Sequence, residues 1–312
     1  MHKVLVPSLW SDSLDVLAAS MPPDIRLDPD WSVDKAVSGT ADGLCCESVA
    51  DLEALNNFSG IRVVSFTGTG ISDVLEMPIV QGRGLTFCNI RDYASADVAE
   101  HAFALILGVA KRMIEADRLI HAGQWSTGGP WGMKLGGKTL GLVGLGSIGL
   151  EVARIAKSFG MEVVYWSRSR HVEAEDLLGI RQLSLDKVFS ESDIVSLHLA
   201  LTVETKGMVG AGLLERMKPG SFLVNTARGA LVDGRALLDV LRSGRLGGAG
   251  LDVFDEEPLP IGHELLQLPN VLLTPHVGAA TGEALIRARK ECLQNVVSFF
   301  AGQPRNVVLP GD

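Results

Sequence analysis

Short runs of β-branched and aliphatic residues alternate along the chain with longer stretches in which apolar residues return every three or four positions. The first pattern suits strands buried on both faces and the second suits the helices that cover them, so the alternation predicts parallel βαβ units. Near the N-terminus "KVLVP" reads as a strand and "SDSLDVLAAS" as a helix with a Ser/Asp start. "GLCC" and "IRVVSF" follow as strands, with "VADLEALNN" as the helix between them. Residues 1–95 are therefore expected to form a small doubly wound lobe.

Residues 95–123, "SADVAEHAFALILGVAKRMIEADRLIHAG", keep helical spacing throughout, with Ser95 or Asp97 as cap and Gly123 as stop. The pattern predicts one long helix whose middle is apolar nearly all round, as expected of a helix buried between lobes or against a second subunit. A Gly/Trp-rich link, "GQWSTGGPWGMKLGG", separates it from a second βαβ series. The strands of that series are "TLGLVG", "EVVYWS", "DIVSLHL", "SFLVNTA", "GAGLDV" and "NVLLTPH". A helix, "EALIRARKECLQNVVSFFAG", and a short tail complete residues 283–312. The fold class expected is α/β, with two doubly wound parallel-sheet domains.

Composition narrows the function. A chain of 312 residues with 46% hydrophobic and 21% charged residues has the makings of two soluble lobes. Its formal net charge of −9 argues against a nucleic-acid or anionic-membrane partner. The apolar run "AFALILGVA" is too short to span a bilayer. Cys45, Cys46, Cys88 and Cys292 lack the spacing of a zinc site or redox pair, which predicts buried thiols in a reducing cytoplasm and no metal.

The chemistry begins at Gly144-Leu145-Gly146-Ser147-Ile148-Gly149, a GxGxxG sequence that follows an apolar strand and opens a helical pattern. That is the context a dinucleotide-binding turn requires. Gly144 allows the tight turn, Gly146 lets backbone approach a pyrophosphate, and Gly149 lets helix and strand pack closely. An acidic residue about 20 positions on would normally bind the ribose hydroxyls, but "EVVYWS" ends at Ser167, and Arg168 and Arg170 follow. A small hydroxyl beside guanidiniums favours a 2′-phosphate, hence NADP over NAD. Arg228 in "NTARG", Asp252 and Glu257 in "GLDVFDEEP", and His276 in "TPHVG" each arrive at or just past a strand's carboxyl end. Singly these read as an ion pair, solvated acids and a loop histidine. Beside a dinucleotide turn they read as a catalytic group.

Those motifs, with "TGTGISD", "VAEHAFALIL", "LHLALTVETKGMV" and "MKPGSFLVNTARGALVD", give the chain a resemblance to the D-isomer-specific 2-hydroxyacid dehydrogenase family along nearly its whole length. The resemblance implies a flavodoxin-like substrate domain from residues 1–96 and 283–312, a Rossmann dinucleotide-binding domain from 97–282, and a homodimer built through the helix near 97–121. It implies that Arg228 holds the substrate's carboxylate and carbonyl oxygen, that His276 donates the proton, and that Glu257 pairs with it. Ser147 and Ile148 would lie at the pyrophosphate and Asp252 near the nicotinamide, with Leu199, Thr226, Ala227 and Gly278 as further cofactor contacts. The backbone of Thr69 and Gly70 would meet the substrate carboxylate. The activity implied is hydride transfer between NAD(P)H and a small 2-oxo acid such as glyoxylate or hydroxypyruvate. A phosphoglycerate dehydrogenase-like enzyme and a non-catalytic dinucleotide sensor on the same fold are the alternatives.

Overall fold

Strands that are apolar on both faces need cover on both, and the chain supplies it twice. The computed structural model describes residues 1–31, 38–68, 74, 77–125 and 132–309. It divides into two compact units, Met1–Ala94 with Thr281–Asp312, and Ser95–Ala280.

In the first unit β1 (His2–Leu5), β2 (Ile25–Asp28), β4 (Gly43–Cys46), β6 (Val63–Phe66) and β7 (Thr86–Cys88) form a parallel sheet in the order β2-β1-β4-β6-β7, with a short side ladder of β3 (Gly39–Thr40) and β5 (Phe58–Ser59). Counted along the main sheet this is the flavodoxin-like 2-1-3-4-5 order. Alternate residues serve opposite cores: on β4, Leu44 and Cys46 join one cluster, while Cys45 joins another with Cys88 and Cys292. All four cysteines are free and buried. The expected helix "SDSLDVLAAS" is a 3-10 turn (Ser8–Asp12) followed by α1 (Leu14–Ala18), and "VADLEALNN" is likewise a 3-10 turn followed by α2 (Ala54–Asn57).

The second unit carries seven parallel strands: β8 (Thr139–Val143), β9 (Glu162–Trp166), β10 (Arg181–Gln182), β11 (Ile194–Leu197), β12 (Phe222–Asn225), β13 (Gly248–Leu251) and β14 (Val271–Leu273). Their order, β10-β9-β8-β11-β12-β13-β14, runs outward in both directions from a switch between β8 and β11. That is the Rossmann arrangement, with ligand space expected beyond the carboxyl ends at the switch. Val143, Leu197, Leu223 and Leu251 serve one core cluster, while Leu140, Leu142 and Val224 serve the other, which explains why these strands read as continuous apolar runs.

The single long helix expected over 95–123 is two. α3 (Ser95–Ala110) has Ala102, Phe103, Leu105 and Ile106 buried over the sheet, and α4 (Met113–His121) buries no residue. The break falls at Arg112, which adopts a left-handed conformation (φ 53°) while its Nε donates to Glu115. α3 needs its length only where the sheet lies beneath it. Once that face ends at Ala110 the chain turns, at a residue whose helix propensity gives no warning.

The remaining helices of this unit are α5 (Ser147–Ser158), α6 (Val172–Leu178), α7 (Leu185–Glu191), α8 (Ala211–Leu214) and α9 (Gly234–Arg242), the last capped by the Asp233 carboxylate on the Ala236 amide. α10 (Gly282–Phe300) belongs to the first unit, where Asn295 donates to Ser65 Oγ and to the Asn89 carbonyl. Among the described residues no helix is long and apolar enough to cross a membrane.

Candidate active site

The glycine turn sits at the topological switch. Gly144, just past β8, has φ 103°, and a Cβ there would run into the His198 carbonyl beyond β11 and approach Leu199 Cδ2 to 3.0 Å. A Cβ on Gly149 would strike the Gly144 carbonyl. Gly146 differs: nothing lies within 4 Å of its Cβ position, so backbone and open space meet there. Gly146 also caps α5, whose first-turn amides have no acceptor within the helix. An open glycine at the positive end of a twelve-residue helix fits a pyrophosphate. Burial fixes the histidine behind this turn. It lowers the His198 pKa to about 4, and Ser196 Oγ lies 2.9 Å from its Nε2, so this ring is neutral at physiological pH.

The expected cofactor contacts on the next strands lie on the same edge. Thr226 is buried, and its hydroxyl has no hydrogen-bond partner, an orphan polar atom of the kind a bound ligand satisfies. Asn225 Oδ1 accepts from the Ala227 amide, and its Nδ2 donates to the Arg228 carbonyl, so one buried amide brackets the turn that carries Arg228. We expect Gly144→Ala to cost more than about 2 kcal/mol, because the added methyl meets backbone that cannot move aside. Thermal unfolding of the variant should shift down by about 5 °C or more, and dinucleotide binding should be lost. An unshifted midpoint with intact binding would show that the turn tolerates a side chain.

At the ribose end the two arginines part company. Arg170 pairs with Glu175 through Nε and Nη2 (2.7 Å to Oε2), and Tyr165 donates to the same carboxylate at 2.8 Å. Arg170 and Tyr165 together hold the Glu175 carboxyl below the usual range. Arg168 is exposed and makes no hydrogen bond or ion pair among the described residues, although its charge helps lower the Glu204 carboxyl. Ser167 donates to the Ser169 carbonyl, and its own carbonyl accepts from Gln182.

Arg228, Glu257 and His276 converge past β12, β13 and β14. Glu257 Oε2 lies 2.7 Å from His276 Nδ1, and its Oε1 accepts from the Phe254 amide at 2.9 Å. Burial pushes the Glu257 carboxyl up, but hydrogen bonds from His276 and Phe254 and the charges of His276 and Arg228 outweigh it, so its pKa is lowered. A depressed carboxyl contributes stability above its unfolded pKa and loses that contribution as pH falls through the folded value. Glu257 is therefore an anion at neutral pH, able to stabilise a protonated imidazole. Arg228 is exposed; Nη1 donates to the Ala227 carbonyl at 2.7 Å, leaving other donors of the fork available.

His276 itself is left-handed (φ 54°), an uncommon conformation for a residue with a side chain. Its amide donates to the carbonyls of Asp252 (2.8 Å) and Thr274 (3.1 Å). Asp252, 1% exposed, anchors the rest of the turn: Oδ1 accepts from Thr274 Oγ1 (2.6 Å) and the Val277 amide, and Oδ2 accepts from the Gly278 amide (2.8 Å). A Cβ at Gly278 would come within 3.1 Å of that same Oδ2. His101 on α3 completes the cluster, 3.0 Å from Thr274 Oγ1. Asn225, Thr274 and His101 are the participants that the motifs do not single out. Asn225 has a local signal, an Asn at a strand end able to close an Asx turn, whereas His101 is brought in from 173 residues away. Thr69 and Gly70 lie outside the described residues. Among the described residues no group of three or more His, Cys, Asp or Glu side chains could hold a metal ion.

Known proteins resemble this chain over most of its length. A family model described as D-isomer specific 2-hydroxyacid dehydrogenase, NAD binding domain, matches residues 103–278. A glyoxylate reductase of Thermococcus litoralis is 40% identical over 266 residues, 83% of this chain and 80% of that protein. A D-3-phosphoglycerate dehydrogenase of Archaeoglobus fulgidus is 33% identical over 84% of this chain, which spans 50% of that longer relative. Among solved structures, the TT0316 protein from Thermus thermophilus superposes with a TM-score of 0.81 at 36% identity, over 98% of this chain and 100% of that one.

Proposed function

The chain belongs to the D-isomer-specific 2-hydroxyacid dehydrogenase family, and from that premise we propose that it reduces glyoxylate or hydroxypyruvate, with His276 as proton donor and Arg228 as substrate clamp. The enzyme is an NAD(P)-dependent D-2-hydroxyacid dehydrogenase acting on small 2-oxo acids. The observation that carries the finer reading is the His276–Glu257 contact of 2.7 Å on the strand edge that also presents Arg228.

When bound, the nicotinamide dinucleotide supplies the hydride. Gly146, Ser147 and Ile148 would hold its pyrophosphate, and the orphan hydroxyl of Thr226, with Leu199, Ala227, Asp252 and Gly278, would border the rest. Arg228 aligns the planar substrate carboxylate with paired hydrogen bonds and stabilises negative charge growing on the carbonyl oxygen. His276 gives that oxygen a proton from Nε2, while Glu257 at Nδ1 stabilises the imidazolium beforehand and keeps the ring in place. In this reading Met1–Ala94 with Thr281–Asp312 is the substrate domain, and two chains pair through α3 and α4. A reducing cytoplasm is the compartment proposed, in keeping with four buried, unpaired thiols. The test is NAD(P)H oxidation by the purified protein across a panel of 2-oxo acids. Turnover of glyoxylate or hydroxypyruvate above the others supports the reading, and preference for a phosphorylated 2-oxo acid overturns the substrate assignment.

NADPH is the proposed preferred cofactor. Ser167 stands where a carboxylate would repel a 2′-phosphate, and the exposed, unpaired Arg168 can meet one. With Arg170 committed to Glu175, the support rests on one guanidinium. A charge-assisted hydrogen bond of about 1.5–3 kcal/mol corresponds to roughly 10- to 100-fold in specificity. The double variant Ser167→Asp with Arg168→Ala should move the NADPH/NADH ratio of kcat/KM by about that factor towards NADH. A wild type that already prefers NADH, or a ratio that does not move, would refute the assignment.

A further inference from the structure

We infer that His101 is a positioning residue for the proton donor, acting on the His276 turn through Thr274 and Asp252; this rests on the reductase reading above. The direction of the hydrogen bonds is decisive. Thr274 Oγ1 lies 2.6 Å from Asp252 Oδ1 and donates to it, because that carboxylate oxygen can only accept. A hydroxyl has one proton, so the proton in the 3.0 Å contact between Thr274 Oγ1 and His101 Nε2 comes from the imidazole. The same Nε2 lies 3.3 Å from Asp252 Oδ1. His101 is the sole ionisable side chain within ion-pair distance of the Asp252 carboxylate among the described residues.

What Asp252 holds is the catalytic turn. Its carboxylate takes the Val277 and Gly278 amides, its carbonyl takes the His276 amide, and its own amide is tied back to the Asn225 carbonyl. The His101 ring also borders this turn, its Cδ2 being 3.7 Å from where a Cβ on Gly278 would stand. His276 is thus kept left-handed by a partly buried chain of hydrogen bonds whose outer donor is His101. Without that donor, the Thr274 hydroxyl and the Asp252 carboxylate lose a partner fixed in place by α3, and the turn relaxes. Small misplacement of a proton donor is costly in rate and cheap in binding.

The experiment compares wild type, His101→Leu, His101→Gln and Thr274→Val with glyoxylate as probe. Leucine keeps bulk without a donor, whereas the glutamine amide can present N–H near the position of Nε2. His101→Leu should lower kcat by about tenfold, with KM for glyoxylate within about twofold of wild type. His101→Gln should recover most of kcat. Adding His101→Leu to Thr274→Val should cost little more than Thr274→Val alone, since His101 acts through that hydroxyl. The assignment is overturned if His101→Leu keeps wild-type kcat, if His101→Gln is as slow as leucine, or if the two substitutions multiply. A wild type that turns over no 2-oxo acid with either nucleotide overturns the reductase reading, and His101's role with it; an active wild type matched by His101→Leu overturns the His101 role alone.

Discussion

His276→Ala is expected to lower kcat for 2-oxo acid reduction by about 10³-fold, within the usual range for a positioned general acid. Reduction turns the carbonyl oxygen into an alkoxide, which needs a proton as it forms. Water is a far weaker acid than an imidazolium, so the variant is left without an effective proton donor. It also leaves the partly buried Glu257 anion, only 2.7 Å from His276 Nδ1 in the wild type, without that partner beside the incoming substrate carboxylate. Dinucleotide binding should stay within about twofold, because the phosphate turn at Gly144–Gly149 opens from β8, and β11, β12 and β13 separate that strand from β14, which leads to His276. Steady-state kcat and the NADPH dissociation constant check both halves. Turnover within about tenfold of wild type would remove His276 from the acid role.

Arg228→Lys is expected to lower kcat/KM by about 10²- to 10³-fold although the charge is kept. Lysine offers a compact ammonium where the substrate carboxylate calls for a planar fork. The native side chain spends one Nη1 hydrogen bond on the Ala227 carbonyl, which orients the fork, and lysine cannot both make that bond and reach two oxygens. Loss of carboxylate binding should raise KM for the 2-oxo acid. Loss of the donor at the carbonyl oxygen should lower kcat as well, since that interaction strengthens as charge develops. A variant within about fivefold of wild type in kcat/KM would contradict the clamp.

Much of the candidate site was legible because the chemistry proposed for it demands particular residues at strand ends. Only glycine fits at Gly144, with φ 103° and a carbonyl where a Cβ would stand, so the turn announces itself in any sequence that forms it. Arg228, Asp252 and His276 follow apolar strands closely, and the parallel direction of those strands fixes the edge on which they emerge. What stayed hidden depends on partners distant in sequence or on backbone states without a residue signature. His101 looks like one more polar position on a helix until Thr274 and Asp252 arrive from two other strands. Arg168 and Arg170 read as a matched pair, yet Glu175 on α6 claims one of them. The left-handed Arg112 ends α3 inside an unbroken helical pattern, since arginine carries neither the freedom of glycine nor the constraint of proline.

The most direct measurement follows the hydride. Purified protein is mixed with hydroxypyruvate and NADPH deuterated at both C4 positions, and the product is analysed for configuration and label. Deuterium at C2 of D-glycerate is the predicted result. Oxidation of the nucleotide with no label in the product, a product of the L configuration, or tight dinucleotide binding with no turnover would each contradict the account.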